Sequence, residues 1–287
     1  EPVKARRASH LECLGHWVRR NRLASVLAGL ALASLVAAGL IGEAGRRRTL
    51  TQANWAQHIG REAEQMEALL FKAQSLPLHD IRPERGQVLA RITQIRQELS
   101  NQGPWSQAAG RLAIGRGLLA LGRLEEARTE LEVAWRASRR RDPDIAQALG
   151  LTLARLSQRE LEGLSGKLRE ERRKAIEADL LKPARELLHR AEALQSENTL
   201  YVEAVLALIE ERPEEALDKA REAGRRLPWF FEASVLEAEI FRNRAASLMG
   251  RGDFPQAEGC LEEARAALGR AMTIGRSAPM AHQGEVQ

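Results

Sequence analysis

The sequence predicts an all-α protein: a single membrane-crossing helix, a helical hairpin, and a solenoid of repeated helix pairs. Three observations carry that prediction. The 287 residues are 44% hydrophobic but only 4% aromatic, with 29% charged, a palette dominated by Ala, Leu, Arg and Glu that suits long helices rather than sheets. Leu23 to Gly42 contains no charged residue, although the chain on both sides is highly charged. From Trp105 onward a pattern of glycine, apolar residue and alanine recurs at fixed spacing. No run of alternating apolar and polar residues bounded by turn signals is present, so strands are not expected.

The apolar run reads LASVLAGLALASLVAAGLIG, 20 residues. As a helix it spans about 30 Å, the hydrocarbon thickness of a bilayer. Two other readings fit an apolar run: a buried alanine-rich core helix, and the apolar part of a signal peptide. Against the latter, the run exceeds the usual length of such a region, and its A-x-A-like site at Ala31-Leu32-Ala33 lies in mid-run. Residues 1–22 form a basic juxtamembrane segment with Lys4, Arg6, Arg7, Arg19, Arg20 and Arg22, against Arg46, Arg47, Arg48 and Arg61 beyond the run. Six against four places the N-terminus in the cytoplasm. Ser25, Gly29, Ala33 and Ala37, four residues apart, form a ridge on which two such helices would pack closely, a possible dimer face. Since 11 of the 20 residues are Ala, Gly or Ser, such a ridge also arises by chance.

Residues 43–103 read as a helical connector. A charged helix continues to about Ser75, with Trp55, Ile59, Met66, Leu69 and Leu70 on one face. Pro77 and Pro83 then bracket the turn LPLHDIRPER. A second helix, from about Pro83 to Leu99, carries Val88, Leu89, Ile92 and Ile95, and Gly103-Pro104 stops it. His79 beside Asp80 in the turn is an acid/base combination in principle. Adjacent side chains seldom face one another, and no nucleophile or metal set accompanies them, so a capped loop explains the pair.

The repeat region is assigned to 104–279, with 280–287 as the start of a further element. GRLEEA (Gly122 to Ala127) and GDFPQA (Gly252 to Ala257) share a glycine, an apolar residue two later and an alanine five later, and ERPEEA (Glu211 to Ala216) keeps that alanine. Aligning the alanines brings Leu131 and Ala134, Ala220 and Ala223, and Leu261 and Ala264 into register, with Ile114, Gly115 and Leu118 upstream of the first. Small residues let one helix close on its partner, and glycine permits the turn between them. Four units follow, at about 105–141, 142–195, 197–228 and 229–278. In the second, Leu149, Gly150 and Leu153 are separated from Ala184, Leu188 and Ala191 by a charged insertion. Trp229-Phe230-Phe231 reads as a packing cluster before it reads as a ligand platform, and Cys260 as a buried small residue.

The net charge of +5 is a small excess over many interleaved charges. With no recognised nucleic-acid module around its arginine runs, nucleic acid is not an expected partner. The two cysteines, Cys13 and Cys260, have neither C-x-x-C nor metal spacing, and lie on opposite sides of the apolar run. No catalytic, cofactor or metal site is predicted in these residues.

The spacing resembles the tetratricopeptide repeat, a helical-hairpin unit with a period of about 34 residues. Pro228, twelve residues after Ala216, stands where that family's terminal proline belongs, whereas Glu203 occupies a position the family keeps apolar. Such arrays usually take protein or peptide partners. In order of parts, a basic juxtamembrane piece, one span, the proline-bounded turn and a lengthened repeat array, the chain resembles the C-terminal half of bacterial receptor-type (Hanks-like) serine/threonine protein kinases. The resemblance implies a kinase domain upstream in the cytoplasm, using ATP and Mg, and repeats beyond the cytoplasmic membrane. The motifs of that domain, G-x-G-x-x-G with its valine, V-A-I-K, H-R-D and D-F-G, are absent from this sequence. The chain opens at Glu1 and stops at Gln287, so it is expected to be a fragment. The expectation is therefore a non-catalytic sensing or interaction region, the alternative a membrane-anchored scaffold with no kinase attached.

Overall fold

The computed structural model describes residues 22–161, 172–191 and 198–279. All regular structure among them is helical. The chain divides into two units, residues 1–55 and 56–287.

Helix α1 runs from Arg22 to Ser75. Its first part belongs to the first unit, where Val26, Leu27, Leu30, Leu35, Val36 and Leu40 are all exposed. Ser34 returns its hydroxyl to the Leu30 carbonyl at 2.8 Å, so that polar group is satisfied within the helix. Among the described residues no helix is long and apolar enough to cross a membrane. In the apolar run, the side chains at 23–25, 28, 29, 32 and 41 lie outside the described residues.

In the second unit, α1 from Ala56 to Ser75 buries Ile59, Ala63, Met66, Leu70 and Ala73. These recur at i, i+4, i+7, i+11 and i+14, one stripe of an amphipathic helix. After the proline-bounded turn, α2 (Arg82–Ser100) buries Val88, Ile92, Ile95 and Leu99. Pro83 sits in its first turn, where a missing N–H costs nothing. Arg91 of α2 holds Glu62 of α1 at 2.5 Å.

A short 3₁₀ turn, Pro104–Ser106, leads into the array. Its helices are α3 (Gln107–Ala120), α4 (Leu124–Ala137), α5 (Pro143–Leu161), α6 (172–191, with a π-helical stretch at Glu177–Leu181), α7 (Thr199–Ile209), α8 (Pro213–Arg226), α9 (Phe231–Gly250) and α10 (Phe254–Ile274). They pack as pairs α3/α4, α5/α6, α7/α8 and α9/α10, each pair also touching the next.

Three of the turns within pairs share one geometry. Gly122, Glu211 and Gly252 lie in the left-handed region at φ 74°, 59° and 80°. The following N–H in each case, from Arg123, Arg212 and Asp253, reaches back five residues to Leu118, Ala207 and Leu248. That pattern closes the helix end by satisfying carbonyls that have lost their helical partners. The Asp253 side chain then caps α10 by accepting from the Gln256 N–H.

Within the pairs, side-chain volumes are complementary. A Cβ at Gly115 would lie 2.5 Å from Leu131 Cγ, and one at Gly150 would lie 2.8 Å from Leu188 Cγ. Leucine on the second helix thus occupies the space that glycine leaves on the first. The third pair places buried alanines at both corresponding positions, Ala204 and Ala220.

Candidate binding surface

Gly115, Leu118, Ala127, Leu131 and Ala134 are buried in the first pair, as are Ala216, Ala220 and Ala223 in the third. In the fourth, Ala257 and Ala264 are buried. Gly122 and Gly252 form turns, and Pro228 lies exposed in the turn before α9. Two residues depart from the expected packing. Leu261 is 45% exposed. Cys260 is half-buried rather than buried. Glu203, on a position expected to be apolar, pairs with Lys219 at 2.5 Å. Of the possible dimer face, Ala33 and Ala37 are exposed, while the side chains of Ser25 and Gly29, like Cys13, lie outside the described residues.

The aromatic triplet divides its labour. Phe230 and Phe231 are buried. Phe230 meets Tyr201 edge-on at 5.1 Å, joining the third and fourth pairs. Phe231 packs against Gly275, Ala271 and Ala278, which fixes the segment after α10 onto α9. Trp229 is half exposed and meets Phe71 of α1 edge-on at 5.0 Å.

The Trp229–Phe71 contact belongs to a surface that sequence patterning did not reveal. From Met66 to Pro77 the chain touches successive parts of the array. Met66 lies beside Gly117 of α3, where a Cβ would come within 3.2 Å of its methyl. Glu67 receives two hydrogen bonds from Arg116 of α3, at 2.8 and 2.6 Å. Phe71 then reaches Trp229 between the third and fourth pairs. Beyond it, the Ser277 N–H donates to the Gln74 carbonyl at 2.8 Å, and the Ser277 hydroxyl bonds the Leu76 and Pro77 carbonyls at 3.2 and 3.1 Å. The His79 N–H donates to that hydroxyl at 3.2 Å.

His79 and Asp80 therefore do separate work. The His79 ring faces Ser277 and the Pro77 carbonyl. Asp80 accepts from both the side chain and the backbone of Arg82, and the Arg82 side chain is the chief cause that holds its carboxyl down at about 2. Nothing here couples them as an acid/base pair.

A concavity of ≈ 620 Å³ runs between α8, α9 and α10. Its floor includes Gly224, Phe230 and Ala233, and its rim Arg221, Arg225 and Arg270. Glu237, buried on α9, holds Arg221 at 2.7 Å and Arg270 at 2.6 Å, which sets both guanidinium groups along the groove. A smaller cavity of ≈ 30 Å³ lies between α5, α7 and α9, where Arg155 Nε and Glu232 Oε2 are buried without a hydrogen-bond partner. It is roomy enough for a water. Among the described residues no group of three or more His, Cys, Asp or Glu is placed to hold a metal.

No protein-family model matches the chain, and no curated protein matches it. Among solved structures it is similar to one titled "MamA MSR-1 C2", with 14% sequence identity and a TM-score of 0.37, over 75% of this chain and 98% of that one.

Proposed function

We propose that this chain is a non-catalytic protein-interaction region, anchored in a bacterial cytoplasmic membrane by Leu23 to Gly42 and presenting its repeats beyond it. The observation that carries the interaction reading is the stack of helix pairs with the arginine-rimmed groove between α8, α9 and α10. A concave surface with an apolar floor and oriented guanidinium groups suits an extended or helical segment of another protein that carries carboxylates. Two features support the anchor. The exposed leucines and valines of α1 before Leu50 leave an apolar helix surface that lipid would cover. Ser34 satisfies its own hydroxyl on the helix backbone, as hydrocarbon requires.

The finer reading is that the region serves a receptor-type serine/threonine kinase whose catalytic domain, with its ATP and Mg, precedes Glu1. The order of parts in the sequence supports it, and no residue of this chain is assigned to that chemistry. Partner binding would act by favouring one arrangement of paired spans over another.

The test has two arms. Alkaline extraction and protease protection of the chain expressed in bacteria are expected to leave it in the membrane fraction, with the repeats accessible only from outside. Release into the soluble fraction overturns the anchor. The reading frame upstream of Glu1 is expected to contain H-R-D and D-F-G, and the protein translated from it to phosphorylate serine or threonine with ATP. A start codon close to Glu1 overturns the kinase and leaves an anchored scaffold.

A further inference from the structure

We infer that the face of the array marked by Arg116, Gly117, Trp229 and Ser277 is a helix-binding groove that the chain closes with its own segment Ala56–Ser75, and that an external amphipathic helix of the same pattern competes for it. The inference rests on the interaction reading above, and goes beyond it by naming the groove, its resident occupant and the chemistry of its competitor. Beside the Phe71–Trp229 edge contact, three contacts of different kinds hold the segment. The first is apolar, Met66 against Gly117, where an added Cβ on α3 would crowd the Met66 methyl and Ile92 of α2, each at 3.2 Å. The second is ionic, Glu67 with Arg116. The third is a latch: Ser277, buried although polar, spends its N–H and hydroxyl on the carbonyls of Gln74, Leu76 and Pro77. The latch is rigid on the array side, since Gly275 and Ala278 on either side of Ser277 pack on Phe231.

The occupant states what the groove accepts. It presents Ile59, Ala63, Met66, Leu70 and Ala73 as one apolar stripe, with Glu67 beside it to meet an arginine of the array. A competing ligand is a helix with apolar residues at i, i+4, i+7, i+11 and i+14 and a carboxylate one position after the third. Its apparent affinity is reduced by the fraction of molecules in which the resident segment is seated. Weakening the resident therefore raises the affinity for an added helix, a sign opposite to that of damage to a binding site.

The experiment uses the full chain in detergent and a fluorescein-labelled synthetic peptide of residues 56–79 as the probe. Wild-type protein is expected to bind the probe weakly. Glu67→Arg, which sets like charges against Arg116, and Ser277→Ala, which removes the hydroxyl of the latch, are each expected to tighten binding about tenfold. Hydrogen exchange at residues 56–75 of the protein is expected to rise as the probe binds. Arg116→Glu is expected to reject the probe but to accept a probe carrying Glu67→Arg, which locates binding at α3. Glu67→Arg alters a half-exposed pair and keeps the fold, so it decides the matter if Ser277→Ala disturbs the array. Equal probe affinity in wild type and Glu67→Arg overturns the inference. So does binding that leaves exchange at 56–75 unchanged, or a protein mass showing that a second copy supplies the helix. Any of those results leaves partner binding at the groove between α8, α9 and α10 intact.

Discussion

Glu211 holds a backbone position, φ 59°, that the two sister turns give to Gly122 and Gly252. A side chain there sets Cβ against the neighbouring carbonyl, a cost glycine does not have. Its compensation is one exposed pair with Arg173 at 2.7 Å, which contributes little. Glu211→Gly is therefore expected to stabilise the protein by about 0.5–1 kcal/mol, read as a higher urea midpoint at unchanged slope. The Gly115–Leu131 contact makes the opposite case. Gly115→Ala forces its Cβ into Leu131 and should cost about 1–3 kcal/mol, and Leu131→Ala alone about 2–5 kcal/mol. Together they recreate the alanine pairing of the third pair. The double variant should then be less destabilised than the sum by about 1 kcal/mol or more, and strict additivity in a double-mutant cycle would reject the complementarity.

At the scale of elements, much of the fold is legible in the sequence because its turns are chemically marked. Pro77 and Gly103-Pro104 end helices by removing donors or freeing the backbone, Pro83 opens one, and the glycine of GRLEEA and GDFPQA supplies the left-handed residue that a hairpin needs. ERPEEA has the same turn without that residue, so only the spacing of Ala216 betrays it. Periodicity also identifies the apolar face of α1, through Ile59, Met66 and Leu70. It cannot say what covers that face, since Trp229 and Ser277 lie far along the chain. The buried polar site between α5, α7 and α9 is invisible to patterning for the same reason: Arg155, Tyr201 and Glu232 come from three helices and none breaks a motif. Burial pushes the Glu232 carboxyl up, and the Arg155 charge only partly offsets it. A carboxyl raised on folding favours the folded state below its ordinary value of 4.5, and that contribution is lost as pH climbs through the folded value. Urea melts from pH 4.5 upward should show stability falling with a slope of up to about 1.4 kcal/mol per pH unit from this group, and Glu232→Gln should remove that component.

For the second unit as a whole, the decisive feature is that a segment from before the array touches its first pair and the end of its last. An open stack of helix pairs has only nearest-neighbour terms, so it melts piecemeal, and terminal pairs fray first. Here Glu67–Arg116, Phe71–Trp229 and the Ser277 latch connect positions that such a stack leaves independent. Losing the fourth pair then also frees Phe71 and the carbonyls of Gln74, Leu76 and Pro77, and losing α1 exposes Arg116 and Gly117 of α3 together with Trp229. The wild-type unit is accordingly expected to unfold in urea as one transition, with far-ultraviolet dichroism and tryptophan fluorescence coincident. Phe71→Ala combined with Ser277→Ala cuts two of the three ties while leaving every contact between neighbouring pairs in place. The two signals should then separate, fluorescence changing at lower urea than helix content, with a reduced slope for each step because each exposes less surface. Separate transitions already present in the wild type would mean that these three contacts do not carry the cooperativity, and that the array behaves as an open stack with α1 resting on it.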